Sequence, residues 1–424
     1  QDALSLTNPD EASLARWTKN GQASYRGGAY APEQRALALV YQSFVKDHAL
    51  RKDVMPSAAR VGFVAEGAEH AVAVLTAIGA QLAKKPNDAK WTLPKHGAHF
   101  RATGVATAGR VAAVFSGQGA QYANMFEDTA MDWPPMRNAI CSMDEQAYKT
   151  RPADMPLVSD VLYPRQPYAS DADPGYDARL QNTLHAQPAT VAVSAGAYDV
   201  FTAAGLQADF VAGHSLGELS ALYASGVLER TAAFELVCAR ADAMAGAATA
   251  KKDEAMAAII GPGASAIQLS GTAGVWLANV NEPGQVVISG IAAAVAKESE
   301  RLITAGFRAV ALSVSGAFHT PLLQDAGSKF ATRLQRAAGQ FKPAARAKVY
   351  SNVTGEAAYA SGGAASAELL AKQMTSPVEW IKQVQAMHRD GARVFIEFGP
   401  RATLAKFISK ILPEGDELCK QAPA

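Results

Sequence analysis

The chain is short of cysteine, of long apolar runs and of any excess of one charge. Its three cysteines, Cys141, Cys238 and Cys419, stand far apart with no CxxC pair. That removes a disulfide framework and a cysteine-rich metal site, and it fits a reducing, cytoplasmic setting. No apolar run reaches the roughly 18 residues of a membrane span, and the start at Gln1 lacks a basic-then-apolar signal pattern. A start without methionine suggests a piece of a longer polypeptide, or processing. With 40 basic and 39 acidic residues the formal net charge is +1, so no global field recruits nucleic acid or an anionic membrane. An anionic substrate has to be held by local charge.

What is present is an ordinary globular composition, 49% hydrophobic and 19% charged over 424 residues, long enough for two or three structural units. Residues 1–105 read as a leading α/β unit, with a strand over 60–66 and a helix over 68–84 carrying Val72, Leu75, Ile78 and Leu82 at helical spacing. A polar stretch follows at 84–90, and 100–109 reads as a linker. From 106 onward, short apolar runs end in glycine turns at 111–115, 210–213 and 394–398. Helical stretches such as 190–204 and 234–247 separate them. Strands alternating with helices imply a mainly parallel sheet.

Residues 251–314 break that rhythm. Strands over 255–260, 275–280, 285–289 and 308–313, a short helix near 264–270 and a longer one over 291–305 give the order βαββαβ, a ferredoxin-like pattern. The expected architecture is therefore an α/β-hydrolase-like large subdomain from 106–250 and 315–412, a ferredoxin-like small subdomain inserted at 251–314, and a tail at 413–424.

Gly213-His-Ser-Leu-Gly217 matches G-x-S-x-G. Between a strand and a helix this spacing makes a sharp elbow that presents the serine hydroxyl at a helix N-terminus. The alternative is a tight turn with an inert serine. Ser215 needs a base. Of eight histidines, His48, His70, His96 and His99 lie in the leading unit, and His388 lies in a helix ending in polar residues. His214 adjoins the serine, but its side chain is expected to point away across the elbow. His319, just past an apolar strand, stands where α/β folds put active sites, against a purely structural histidine. Ser116-Gly-Gln-Gly-Ala-Gln121 lacks nucleotide-loop spacing. It reads either as a plain βα turn or as a donor loop for an oxyanion hole together with Leu216. Arg240 is either a solvated charge on a helix or a pocket cation for a carboxylate.

Together, Gly117-Gln-Gly-Ala-Gln121, Gln187-Pro188, Gly213-His-Ser-Leu-Gly217, Arg240, the stretch from Asn279 to Gly290, Gly316-Ala-Phe-His319 and Ser376-Pro-Val378 resemble the malonyl-CoA:acyl carrier protein transacylases. That family includes the acyltransferase domains of fatty acid and polyketide synthases, and the matches run in family order across about 110–412. A closer likeness is to the transacylase domain of multidomain polyunsaturated fatty acid synthases. It is carried by Phe115-Ser-Gly-Gln-Gly-Ala-Gln-Tyr122, Leu162-Tyr-Pro-Arg-Gln-Pro-Tyr168 and Phe395-Ile-Glu-Phe-Gly-Pro400. Residues 1–105 look like the linker between ketosynthase and acyltransferase in such synthases.

The resemblance implies roles. Ser215 would be the acylated nucleophile and His319 the acid/base, oriented by a backbone carbonyl at Gln373, which explains the lack of a triad aspartate. Gln118 and Leu216 would supply oxyanion-hole N–H groups. Arg240 would bind the malonyl carboxylate, with Gln187, Phe318, His214 and Asn279 around the substrate. Asn279 and Asn281 match a family pair near the cleft, with a turn role as the alternative. Here Gly-Ala-Phe-His stands where many malonyl-selective modules have histidine first. The implied reaction moves a malonyl group from malonyl-CoA, through acyl-Ser215, to the phosphopantetheine thiol of an acyl carrier protein. It uses no bound cofactor or metal; coenzyme A enters as the substrate thioester. A thioesterase or esterase shares the elbow and the histidine, and a catalytically silent scaffold within a synthase is a further alternative.

Overall fold

Short apolar runs become the strands of three separate sheets in the computed structural model. It describes residues 59–412 apart from 64, 66–67, 103–108, 152–154, 165–178, 249–252, 270–272 and 313–315. By contacts the chain divides into two units, 1–108 and 109–424.

In the first unit, β1 (Arg60–Gly62), β2 (Lys90–Leu93) and β3 (Ala98–Arg101) form an antiparallel sheet of order β1-β3-β2. The helix Ala68–Lys84 buries Val74 and Ile78 with Trp91, Ala98 and Phe100. The Trp91 and Phe100 rings stack at 5.0 Å. Three expectations are corrected here. The strand expected over 60–66 stops at Gly62. Val72, read as part of the apolar face, is 50% exposed, while Val74 is fully buried. The supposed linker begins inside β3. Helical spacing fixes a stripe only to within one residue; the hairpin β2–β3, unread in the sequence, decides which edge of the stripe is covered.

In the second unit the central sheet has five strands: β4 (Arg110–Phe115), β5 (Phe210–Gly213), β10 (Lys348–Tyr350), β11 (Ala357–Ala358) and β12 (Ala392–Phe398). The order is β11-β10-β5-β4-β12, parallel throughout except for the edge strand β11. Successive side chains point to opposite faces. Thus Ala113, Phe115 and Val211 join one core with the helices Thr183–Ala203 and Arg230–Ala248. Ala112, Val114, Phe210 and Ala212 join another with Trp380, Val384, Leu404 and Ile408. Burial on both faces is why these strands read as continuous apolar runs. The helix expected from residue 190 starts at Thr183 and carries Pro188 inside it; Asn182 Oδ1 caps it by accepting from Leu184 N at 3.0 Å.

Between β5 and β10 a second sheet intervenes: β6 (Glu254–Ile260), β7 (Val275–Glu282), β8 (Gln285–Ile291) and β9 (Arg308–Ala311), antiparallel, in the order β7-β8-β6-β9. The helix Ala292–Thr304 covers one face through Val295 and Leu302. On the other face Met256, Ala258, Ala278 and Val287 pack against Leu312 and Phe318. Two bonds tie β7 to the large core: Val280 N–H donates to Val378 O, and Val378 N–H to Ala278 O, each at 2.9 Å. The short helix near 264–270 is a single 3-10 turn, Ala264–Ala266. The strand expected to 313 ends at Ala311, so His319 follows in a turn and not at a strand end.

Candidate active site

Three parallel strands end on one edge of the central sheet, and each delivers a side chain there: β4 leads to Gln118, β5 to Ser215 and β10 to Asn352. The carboxyl edge of a parallel sheet is where such folds open a crevice.

After β5 the chain reverses within a few residues, with Ser215 in the left-handed region at φ 51°. Side chains rarely adopt this conformation, and it costs about 1–3 kcal/mol unless the surroundings enforce it. Here the flanking glycines let the strand, the turn and the next helix touch. A Cβ on Gly213 would stand 1.9 Å from Gly217 C, and one on Gly217 would stand 2.2 Å from Phe115 O. The peptide groups of Ser215 are clamped on both sides. Its N–H donates to Asn352 Oδ1 at 2.7 Å, and its carbonyl accepts from Gln373 Nε2 at 2.5 Å. The helix Gly217–Ala224 begins immediately, its hydrogen bonds starting with Gly217 N–H to His214 O at 2.9 Å. Leu216 lies just before that first turn with its side chain fully buried.

His319, 104 positions downstream, brings Nε2 to 2.7 Å from Ser215 Oγ. Its Nδ1 faces two carbonyl oxygens, Gln373 O at 3.0 Å and Ser376 O at 3.1 Å. Acceptors on that side assign the proton to Nδ1 and leave the Nε2 lone pair for the serine hydroxyl. Burial, reinforced by the nearby Arg240 cation, pushes the imidazole down to about 3, so it is neutral at ordinary pH.

A cavity of about 150 Å³ opens over this pair. Gln118, His214, Arg240, Asn279 and Phe318 line it with Ser215 and His319, and Met244, Met256 and Leu312 add apolar wall. Arg240 is 2% exposed, on a helix buried against the core; the solvated-charge alternative is excluded. Its Nη1 donates to Gln187 Oε1 at 2.8 Å, and its Nη2 to Gln373 Oε1 at 3.3 Å and Ser215 Oγ at 3.4 Å. Nε has no hydrogen-bond partner among the described residues. Burial lowers this guanidinium to about 10, partly offset by attraction to Glu218; it stays cationic at neutral pH. Among the described residues it forms no salt bridge with a carboxylate.

Two expected residues, His214 and Gln187, sit differently from their sequence reading. His214 does not point away across the elbow: it lines the cavity, with Nε2 2.8 Å from Asn281 Oδ1 and its ring 5.7 Å from Trp380. Gln187 stands one layer behind the cavity, fully buried, its Nε2 donating to Thr183 Oγ1 at 2.7 Å and its Oε1 holding Arg240. Gln118 is steadied by Thr183, whose hydroxyl donates to Gln118 Oε1 at 2.9 Å. Asn279 is buried and bridges in parallel register to Val378. Two residues went unread. Asn352 follows β10, a three-residue strand too short to show a pattern. Glu218 stands in the elbow helix, fully buried, where no local pattern marks a buried carboxylate. Asn352 lies two residues past the Lys348-Val-Tyr350 strand, and no local pattern marks it. Among the described residues no group of three or more His, Cys, Asp or Glu side chains is disposed to hold a metal ion, and no helix is long and apolar enough to cross a membrane.

Residues 113–422 match the acyl transferase domain family. The chain is 42% identical over 374 residues to a polyunsaturated fatty acid synthase polypeptide of Thraustochytrium sp., covering 88% of this chain and 13% of that protein. It is 34% identical over 310 residues to the malonyl CoA-acyl carrier protein transacylase of Bacillus subtilis, covering 71% of this chain and 90% of that one. Among solved structures, the acyltransferase domain from the second module of the salinomycin polyketide synthase matches with a TM-score of 0.69 at 25% identity, over 97% of this chain and 85% of that one. A malonyl-transacylase in complex with its type II polyketide synthase acyl-carrier protein matches at 0.63 and 28% identity, over 73% and 94%. The chain spans only 13% and 14% of the two synthases that head its relatives. On the extent of these matches, which take in the elbow, the histidine turn and the inserted sheet alike, the chain belongs to the acyl transferase domain family.

Proposed function

We propose that this chain transfers a malonyl group from malonyl-CoA to the phosphopantetheine thiol of an acyl carrier protein, by a ping-pong reaction on a Ser215–His319 dyad. The observation that carries this reading is Arg240, a buried cation without a carboxylate partner among the described residues, facing the same cavity as the nucleophile and 3.4 Å from its hydroxyl. A buried charge lacking a partner is costly, and a substrate carboxylate would supply one in bidentate form.

In the first half-reaction His319 Nε2 takes the Ser215 proton as Oγ attacks the thioester carbonyl, and the oxyanion develops against the N–H groups of Gln118 and Leu216. The C–S bond then breaks, and the coenzyme A thiolate takes the proton back from His319. In the second half-reaction the carrier thiol gives its proton to His319 and attacks acyl-Ser215; the ester bond breaks and Ser215 is re-protonated. The Gln373 and Ser376 carbonyls do the orienting work of a triad acid. Phe318, His214, Asn279 and Gln187 shape the acyl site, and Phe318 leaves little room for an α-branch.

The architecture fits the same proposal. The parallel sheet with its serine elbow is hydrolase-like, and the inserted sheet has the strand order of a ferredoxin-like subdomain. We assign 106–250 and 315–412 to the large subdomain, 251–314 to the small one, 1–105 to a ketosynthase-to-acyltransferase linker unit and 413–424 to a tail. Polyunsaturated fatty acid or polyketide synthesis in the cytoplasm, beside a ketosynthase, is the expected context. Intact-mass measurement after mixing with malonyl-, methylmalonyl- and acetyl-CoA tests the reading. Malonyl adduct on wild type and none on Ser215→Ala supports it. Rapid release of free malonate with no loading of a carrier would assign a hydrolase instead.

A further inference from the structure

Directly behind the nucleophile, fully buried, lies a carboxylate that the transfer chemistry does not touch. Glu218 is the second residue of the elbow helix and has no exposed surface. Asn352, Tyr359 and Gln373 give it four hydrogen bonds, and the Ser351 side chain adds another. Oε1 accepts from Asn352 N–H at 3.2 Å and Tyr359 OH at 2.8 Å. Oε2 accepts from Asn352 Nδ2 at 2.8 Å and Gln373 Nε2 at 3.0 Å. Both amides that touch Glu218 also touch the active site. Asn352, with its Nδ2 turned toward Glu218 and Gly213 O, must present Oδ1 to the Ser215 N–H. Gln373, with its Nε2 turned toward Glu218 and Ser215 O, must present Oε1 to Arg240 Nη2, while its main-chain oxygen accepts from His319 Nδ1.

An amide side chain has a donor end and an acceptor end, and nothing in its shape says which way round it sits. Here Gly213 O, the Ser215 N–H and carbonyl, and Arg240 Nη2 favour one orientation of the two amides, and an acceptor-only carboxylate ties both to it at once. We infer that Glu218 is a positioning residue for the acyl transfer: by fixing the orientation of Asn352 and Gln373 it holds Ser215 in its left-handed turn and aligns His319 and Arg240 upon it. Burial pushes the Glu218 carboxyl up, and its hydrogen bonds from Tyr359, Gln373 and Asn352 pull it back down. The residue is not catalytic, because it acts only through Asn352 and Gln373.

Glutamine has the same shape and cannot do this. With its NH2 on the Oε2 side it would face Asn352 Nδ2 and Gln373 Nε2, donor to donor. With its NH2 on the other side it would face the Asn352 N–H, which cannot reverse. In the first orientation one or both amides must turn, which sets an acceptor oxygen against the Ser215 carbonyl or removes the acceptor from its N–H; in the second the Asn352 backbone is pushed away from the helix, and its side chain moves with it.

The inference rests on Ser215 being the acylated residue, and the test separates the two. Single-turnover acylation by malonyl-CoA is followed by rapid-quench intact mass on wild type and Glu218→Gln. The variant is expected to acylate to a similar final amplitude but about 10- to 100-fold more slowly, as misplacement of a reacting group by about an ångström would cause. Its KM for malonyl-CoA is expected to stay within about threefold. An unchanged rate per active chain overturns the inference, whether the amplitude is full or reduced, because a residue needed only for folding lowers the amount of active enzyme and leaves its rate alone. Where Glu218→Gln does not fold, Tyr359→Phe decides. It removes one donor to the carboxylate, touches neither Ser215 nor His319, and is expected to slow acylation about twofold to fivefold; no change overturns the inference. Absence of acylation in wild type overturns the functional reading itself.

Discussion

The sharpest consequence of the site's burial concerns pH. A free imidazole, titrating near 6.5, would be roughly nine-tenths neutral at pH 7.5 and only about 3% neutral at pH 5, so a rate that needs the neutral base would fall by about 30-fold. His319 is held at about 3, chiefly by burial and next by the Arg240 cation, against the opposing pull of the Gln373 carbonyl. The sign follows directly. A depressed imidazole refuses the proton as pH falls, so at pH 5 about 99% of it remains a base. The other ionisable groups facing it do not restore an acid limb: burial lowers His214 as well, and Arg240 at about 10 keeps its charge. Glu218 behind the elbow, whose carboxyl burial raises, is the group that can bring one at the acid end, so the acylation half-reaction, followed by rapid-quench intact mass between pH 6 and 8, is expected to change by less than about twofold. Stability moves the other way. The unfolded chain takes up a proton near 6.5 and the native one does not, so the native-state stability due to this group is lost as pH falls below about 6.5. The burst amplitude, which counts folded active sites, has to be read beside the rate. A rate that halves near pH 6.5 at constant amplitude would refute the picture of a desolvated, neutral base.

Two further outcomes follow from the geometry. Arg240→Ala removes the buried partner for a substrate carboxylate, a loss of about 2–5 kcal/mol in comparable buried charge pairs, so malonyl loading should fall at least about 30-fold relative to acetyl in a competition read by intact mass; unchanged malonyl preference would remove the carboxylate role. Gly217→Ala puts a Cβ 2.2 Å from Phe115 O, a backbone atom of a buried strand, so thermal unfolding should show about 1–3 kcal/mol of destabilisation and labelling of Ser215 by a fluorophosphonate should be lost. A variant as stable and as reactive as wild type would mean that the elbow is not under the steric constraint described.

Much of the large core was legible because its signals are local. Runs of alternately facing apolar residues at 111–115 and 210–213 each ended in a glycine turn, and each became a strand within a residue of its expected bounds. The inserted sheet was legible for the same reason, with β6, β7 and β8 close to their expected limits. What failed was short, or depended on a partner. Strand β10 has three residues and β11 two, too few to carry a period. The face of the first helix was misassigned by its edge residue Val72, since only the β2–β3 hairpin selects which side of the stripe is covered. His214 was misread because its direction depends on Asn281, a residue of the inserted sheet.

By itself the sequence determined the elements, the glycine-framed serine and a short list of histidines and one arginine from which a site could be drawn, since steric limits on a turn and the periods of helix and strand act over a few neighbouring residues. Only the tertiary structure decided that the histidine 104 positions away brings Nε2 to the Ser215 hydroxyl, that Arg240 faces inward beside Ser215, and that the Glu218 carboxylate accepts from two amides behind it. Those facts come from chain closure and from the removal of water around polar groups. Both depend on which distant segments pack together, and no local pattern encodes them.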